Sequence, residues 1–292
     1  MMKILVTGAD GQLGSEIRAI ANQYAGLQFL FTDVEQLDLT DQEALNDVIE
    51  KENPDYLINC AAYTAVDIAE EDTDLAKLLN AKIPAHLGKL ASEYQFKVIH
   101  ISTDYVFDGT ACSPYTENDL VNPESVYGKT KLNGEIALLK ESASSMVIRT
   151  SWLYSSHGKN FVKTMVKLGE ERDQLKVVCD QVGTPTYAAD LAGAILTIIS
   201  KTASGELGWK PGIYHYSNEG VCSWYDFAKA IHEIYGIDCD VYPIATEEYP
   251  TPARRPAYSV LNKFKIKRIF GIEIPYWRDS LKECINEMKN KK

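Results

Sequence analysis

The chain has 292 residues, 45% hydrophobic and 24% charged, with a formal net charge of −11. That length is enough for a substantial core, or for two units sharing an interface. The acidic balance argues against a nucleic-acid binder, which carries a basic face, and the longest apolar stretch, around 192–199, is far below a membrane span.

In chain order, short Val/Ile/Leu-rich runs at 3–7, 27–32, 55–60, 97–102, 146–150 and 175–179 predict strands buried on both faces. Helical patterns fall between and after them, near 12–24, 42–52, 74–94, 126–141, 160–171 and 188–201. This alternation predicts a Rossmann-type, doubly wound parallel sheet. Beyond residue 202 the pattern breaks into turns, a strand at 212–217, a capped helix start at Ser223, a Pro-rich loop at 248–256 and a terminal helix from Trp277. The expected organisation is therefore a nucleotide-binding domain (1–151 and 175–201) with a smaller α/β substrate-binding lobe (152–174 and 202–292). The six cysteines are widely spaced with no CxxC pair, which reads as buried free thiols of a reducing compartment. The N-terminal apolar run stops at Gly8, too short for a signal peptide, so the expected location is cytoplasmic.

Gly8-Ala9-Asp10-Gly11-Gln12-Leu13-Gly14 follows the first strand. Glycines there let the backbone turn tightly against a pyrophosphate, which the following helix N-terminus attracts. Asp33 ends the second strand, where a carboxylate accepts hydrogen bonds from a ribose and repels a 2′-phosphate. That leans towards NADH without forbidding NADPH. Asp38 and Leu39 would cap the adenine end. Ala61, Ala62, Tyr63 and Thr64 follow the third strand, with small residues passing close to the cofactor and Tyr63 and Thr64 directed into the cleft.

Ser102, Thr103, Asp104 and Tyr105 close the fourth strand, at the edge where parallel sheets bind ligands. Tyr127 and Lys131 lie four residues apart on a predicted helix, hence on one face. A free phenol has a pKa of about 10, and a neighbouring ammonium is expected to lower it. The pair can then exchange a proton with an alkoxide or ketone oxygen, while a Thr103 hydroxyl bonds the oxygen that gains charge.

The glycine turn, Ser102-Thr103 and the Tyr127/Lys131 pair resemble the extended short-chain dehydrogenase/reductase family, many of whose members modify nucleotide sugars. The resemblance extends over essentially the whole chain, through Asn59-Cys60-Ala61-Ala62-Tyr63-Thr64, Arg149-Thr150-Ser151-Trp152, Gly183-Thr184-Pro185-Thr186 and Tyr249-Pro250-Thr251-Pro252-Ala253-Arg254-Arg255-Pro256. It implies NADPH- or NADH-dependent reduction of the C4 ketone of a dTDP-linked 6-deoxyhexulose, feeding cell-surface polysaccharide. It also implies a catalytic set of Thr103, Tyr127 and Lys131, with Lys131 on the nicotinamide ribose and Ser102 beside the cofactor. Asp104, Tyr105 and Trp152 would meet the sugar. Arg254 and Arg255 are candidates for the substrate pyrophosphate, because guanidinium matches phosphate oxygens in a bidentate way.

Some family members bind Mg²⁺ at a dimer interface through glutamates. Glu16 and Glu287 match two such positions, but the third falls at Ala189, with Asp190 one residue away. No metal ligand is assigned, and a homodimer stays open. Two other activities share the scaffold. A 4,6-dehydratase or epimerase is one, but the dehydratase motif needs a glutamate where Tyr105 stands. A catalytically silent regulatory subunit of methionine adenosyltransferase is the other, and the intact Thr103/Tyr127/Lys131 set argues against it.

Overall fold

The computed structural model describes residues 1–291. Six parallel strands form the central sheet: β1 (Met2–Thr7), β2 (Leu27–Thr32), β3 (Tyr56–Asn59), β4 (Lys97–Thr103), β5 (Met146–Thr150) and β6 (Gly212–His215), in the order β6-β5-β4-β3-β1-β2. The chain runs from β1 outward to β2 and then crosses to β3 on the other side. The order therefore reverses between β1 and β3, and a ligand crevice opens beyond the strand ends there.

Alternate residues of the strands serve opposite faces. Ile4, Val6, Ile58, Ile99 and Ile148 enter one core, with α1 (Gln12–Ile20) and the long helix Ala188–Ala203. Leu5, Leu57, Val98 and Val147 enter the other, with α2 (Gln42–Glu52), α3 (Ile83–Tyr94) and α4 (Val126–Glu141). Cover on both faces explains why these strands read as unbroken apolar runs. A third core belongs to the lobe, where Tyr154, Val162, Phe227, Ile231 and Leu281 pack between Phe161–Glu171, Trp224–Tyr235 and Trp277–Asn290.

The strand expected at 175–179 forms as Gln174–Val178 but lies outside the central sheet, pairing in parallel with Asp240–Ile244. The sixth sheet strand is instead Gly212–His215, paired with β5. The reason is visible in the residues: Gln174-Leu175-Lys176-Val177 alternates polar and apolar, and its burial alternates likewise. That pattern suits a strand with one covered face. Ile266 and Phe270, from the stretch expected to form the lobe, also pack into the sheet's core.

The helix expected over 74–94 is interrupted. Thr73–Lys77 and α3 are joined by a π-helical turn at Leu78–Lys82. All six cysteines are free, but Cys112 and Cys179 are exposed, against the expectation of uniformly buried thiols. Among the described residues no helix is long and apolar enough to cross a membrane.

Candidate active site

Gly8 has a φ of +65°, and a Cβ there would lie 2.6 Å from the Ala61 backbone nitrogen. Glycine is what lets the end of β1 close against the end of β3 at the switch point. Gly14 is needed inside the turn, where a Cβ would sit 2.5 Å from the Gly8 carbonyl oxygen. The following helix starts at Gln12 with no side-chain cap, leaving its first N–H groups free for an anion.

Beside this turn a cavity of about 890 Å³ runs along the strand ends. Of the expected cofactor residues, Gly8, Gly11, Gln12, Leu13, Asp33, Asp38, Leu39, Ala61, Ala62, Thr64 and Ser102 line it. Asp33 Oδ2 accepts the Asp10 N–H at 2.9 Å and Oδ1 accepts the Val34 N–H at 2.8 Å, joining the glycine turn to the end of β2. Gly14 and Tyr63 are not part of the lining. Tyr63 is instead held by its backbone: its N–H donates to Asn80 Oδ1 at 2.9 Å and its carbonyl accepts from Asn80 Nδ2 at 3.1 Å.

Asn80 is fully buried in the π-helical turn, and its carbonyl oxygen would lie 1.9 Å from a Cβ at Gly134. Sequence periodicity missed it, because an extra residue in one turn leaves no local signature. Gly134→Ala should force the turn off α4 and cost about 1–3 kcal/mol, as for other overpacked sites. Denaturant unfolding with an unchanged midpoint would show that the close approach is unimportant.

Thr103, Tyr127 and Lys131 all line the same cavity. Ser125 caps α4 by accepting the Gly128 N–H at 3.1 Å, which starts the helix just before Tyr127. A Cβ at Gly128 would lie 2.2 Å from the Tyr105 carbonyl oxygen, so glycine brings the helix start against the segment after β4. The Tyr105 and Tyr127 rings meet edge-on at 5.4 Å. Lys131 is 2% exposed, and its Nζ donates to the Ile101 carbonyl at 2.6 Å.

The expected lowering of the phenol's pKa by Lys131 is not what this arrangement gives. Burial pushes Tyr127 up to about 12, the Thr103 hydroxyl pulls the other way, and the Asp104 charge raises it further. Lys131 itself is pushed down to about 8 by burial, against the opposing pull of Glu135. Asp104 is 3% exposed and accepts from the Thr103 hydroxyl at 3.0 Å. Burial raises its carboxyl to about 6.

The lobe supplies the opposite side. Trp152 lines the cavity with a φ of +48°, a conformation that side-chain-bearing residues avoid and that concentrates at functional sites. Its indole stacks on Trp224 at 3.6 Å, and a Cβ at Gly183 would lie 2.7 Å from it. Trp224, Lys159 and Asn160 also line the cavity and were missed as site residues. Asn160 Nδ2 donates to Gln12 Oε1 at 2.9 Å, clasping the lobe to the glycine turn. Arg254 and Arg255 do not line the cavity. Arg254 pairs with Glu124 at 3.1 Å and is largely exposed, and Arg255 holds Asp67 in a two-pronged ion pair, with Nη2 at 2.6 Å from Oδ2.

The residues from 2 to 290 match the model of the family described as RmlD substrate binding domain. The chain belongs to that family. Among RmlD-family relatives, the chain is 41% identical to the spore coat polysaccharide biosynthesis protein SpsK of Bacillus subtilis, covering 98% of each. It is similar to the solved dTDP-4-dehydrorhamnose reductase of Clostridium acetobutylicum, with 46% identity and a TM-score of 0.93, covering 99% of this chain and all of that one. It is also similar to the Bacillus anthracis dTDP-4-dehydrorhamnose reductase solved with NADP, with 37% identity and a TM-score of 0.92 over 98% of this chain and all of that one.

One further group bears on the expectation of Mg²⁺. Glu16, His157 and Glu287 form a cluster whose ligand atoms lie within 4.8 Å of one another. The Lys291 ammonium sits among them, 2.6 Å from Glu287, 3.0 Å from His157 Nε2 and 2.9 Å from Ser156 Oγ. Asp190 is turned to Asn218 and Ser280, at 2.6 and 2.5 Å. Mg²⁺ asks for a near-octahedral set of oxygens. Two carboxylates and an imidazole around an ammonium do not fit it, and no metal chemistry is assigned.

Proposed function

We propose that this chain reduces the C4 ketone of dTDP-4-dehydro-L-rhamnose to dTDP-L-rhamnose with NADPH or NADH. The observation that carries this reading is that Thr103, Tyr127 and Lys131 converge on one cavity between the glycine turn and the Trp152–Trp224 stack. The names borne by close, full-length relatives supply the substrate.

The glycine turn and the open start of α1 would hold the cofactor's pyrophosphate, and Asp33 the adenosine ribose. When bound, the reduced nicotinamide supplies the hydride. Tyr127 donates its phenolic proton to the C4 oxygen as negative charge gathers there. A phenol held at about 12 remains protonated at neutral pH, which is the state a reductase needs, and the alkoxide is the stronger base. Thr103 bonds the same oxygen, and Lys131 holds the nicotinamide ribose as an ammonium. Trp152 and Trp224 offer an apolar wall to the sugar.

Dehydration is disfavoured because the residue after Asp104 is Tyr105, whose ring packs on Tyr127. The product would feed polysaccharide synthesis, in the cytoplasm. The test is absorbance at the reduced-nicotinamide band with the 4-keto sugar generated in place. Substrate-dependent oxidation yielding dTDP-L-rhamnose supports the reading. Cofactor binding without oxidation points to a silent regulatory subunit or to a different nucleotide sugar. Asp33→Ala should favour NADPH over NADH by about 10–100-fold, the scale of a hydrogen bond to a charged group. An unchanged cofactor ratio removes Asp33 from ribose recognition.

A further inference from the structure

One turn beyond Lys131 on the same face of α4 lies Glu135, 1% exposed and outside the cavity lining. Its Oε1 accepts the Ser102 hydroxyl at 2.5 Å and Arg149 Nε at 3.0 Å, and its Oε2 accepts Arg149 Nη2 at 2.7 Å. Arg149 comes from β5, is 2% exposed, and stands over the Phe107 ring at 5.2 Å. One carboxylate thus ties three elements together: the end of β4, the middle of α4 and the end of β5.

A buried ion pair of this kind is weak evidence for stability, because desolvation offsets most of the attraction. A well-packed apolar pair would hold the elements as well, so the charge invites another explanation. Lys131 provides it. Its ammonium is buried and, among the described residues, donates one hydrogen bond, to the Ile101 carbonyl. The titratable groups around it are Tyr127 and Glu135 on its own helix, Cys60 after β3 and His100 on β4, with Arg149 behind Glu135; Tyr127, held at about 12, is a neutral phenol. The Cys60 thiol is pushed up to about 12 and the His100 imidazole down, both chiefly by burial. At neutral pH both are therefore uncharged, and Glu135 is the anion left to favour the ammonium.

We propose that Glu135 is a positioning residue of the catalytic site, whose carboxylate keeps Lys131 charged while Ser102 and Arg149 fix where that carboxylate sits. The proposal rests on Lys131 acting as an ammonium, as in the reductase reading above.

The experiment is the pH profile of kcat/KM for the reduced nicotinamide, which reports groups of the free enzyme. Glu135→Gln keeps a similar shape and removes the charge. Its basic limb should move to lower pH, the direction expected when an opposite charge one helical turn away is lost. Because the single variant strands Arg149, Glu135→Gln/Arg149→Met is measured beside it. That variant should regain thermal stability and keep the shifted limb. A purely structural Glu135 would lower stability or kcat and leave the limb where it is in the wild type. A limb at wild-type pH in the double variant overturns the proposal. Failure of the reading beneath it looks different: Lys131→Met would then retain the wild-type basic limb.

Discussion

Tyr127→Phe should lower turnover by roughly 10²–10⁴, the usual contribution of a positioned acid–base group. The change removes one oxygen and keeps the ring, so the edge-on contact with Tyr105 persists and cofactor binding should stay near normal. Steady-state kcat, with cofactor affinity read separately by fluorescence, checks both halves. Turnover close to wild type would remove Tyr127 from the proton transfer, and Thr103 or a water would have to supply the proton instead.

Lys131→Met should weaken cofactor binding by about 10–100-fold, the scale of a charged hydrogen bond, and should also flatten the pH profile. The sign follows from the two pKa values. Lys131, held at about 8, is an ammonium at pH 7 and loses its proton as pH rises through 8. Tyr127, held at about 12, stays a phenol across that window. A fall in kcat/KM as pH rises through about 8 is therefore expected from Lys131, and it should vanish in the variant. An alkaline limb that survives, or an unchanged cofactor affinity, would falsify the assigned role.

Much of this site was legible in the residues, for identifiable reasons. The glycine turn and the Tyr127/Lys131 pair are local: their function depends on neighbours a few positions away on one turn or one helix, so spacing reveals them. The six-strand sheet was legible except for its last member. The strand at 175–179 was assigned by its apolar content, although Lys176 between Leu175 and Val177 marks a one-sided strand, and the structure pairs it with Asp240–Ile244.

What the sequence hid is of a different kind. Trp224 reaches the cavity only because the lobe folds back onto the sheet, and Asn80 acts only because a helix takes one wide turn. The surroundings of Arg254 and Arg255 were hidden in the same way. Their residue type suits a pyrophosphate, but Glu124 and Asp67, distant in sequence, already balance their charges. The same distance hid Glu135, a helix residue whose partners Ser102 and Arg149 lie on two strands.

The interleaving of the two cores has a consequence for how the chain acquires its shape over time. The strand pairing with β5 is made only after the polypeptide has left the sheet, built much of the lobe's first part and returned. Ile266 and Phe270 seal the underside later still. Until Gly212–His215 emerges during synthesis, β5 is left as a bare edge. Long-range pairings of this sort are formed slowly and leave sticky intermediates in the interval. A break anywhere between residues 201 and 212 would deprive each half of partners it needs, so the two are best regarded as one unit of folding that happens to enclose a cleft.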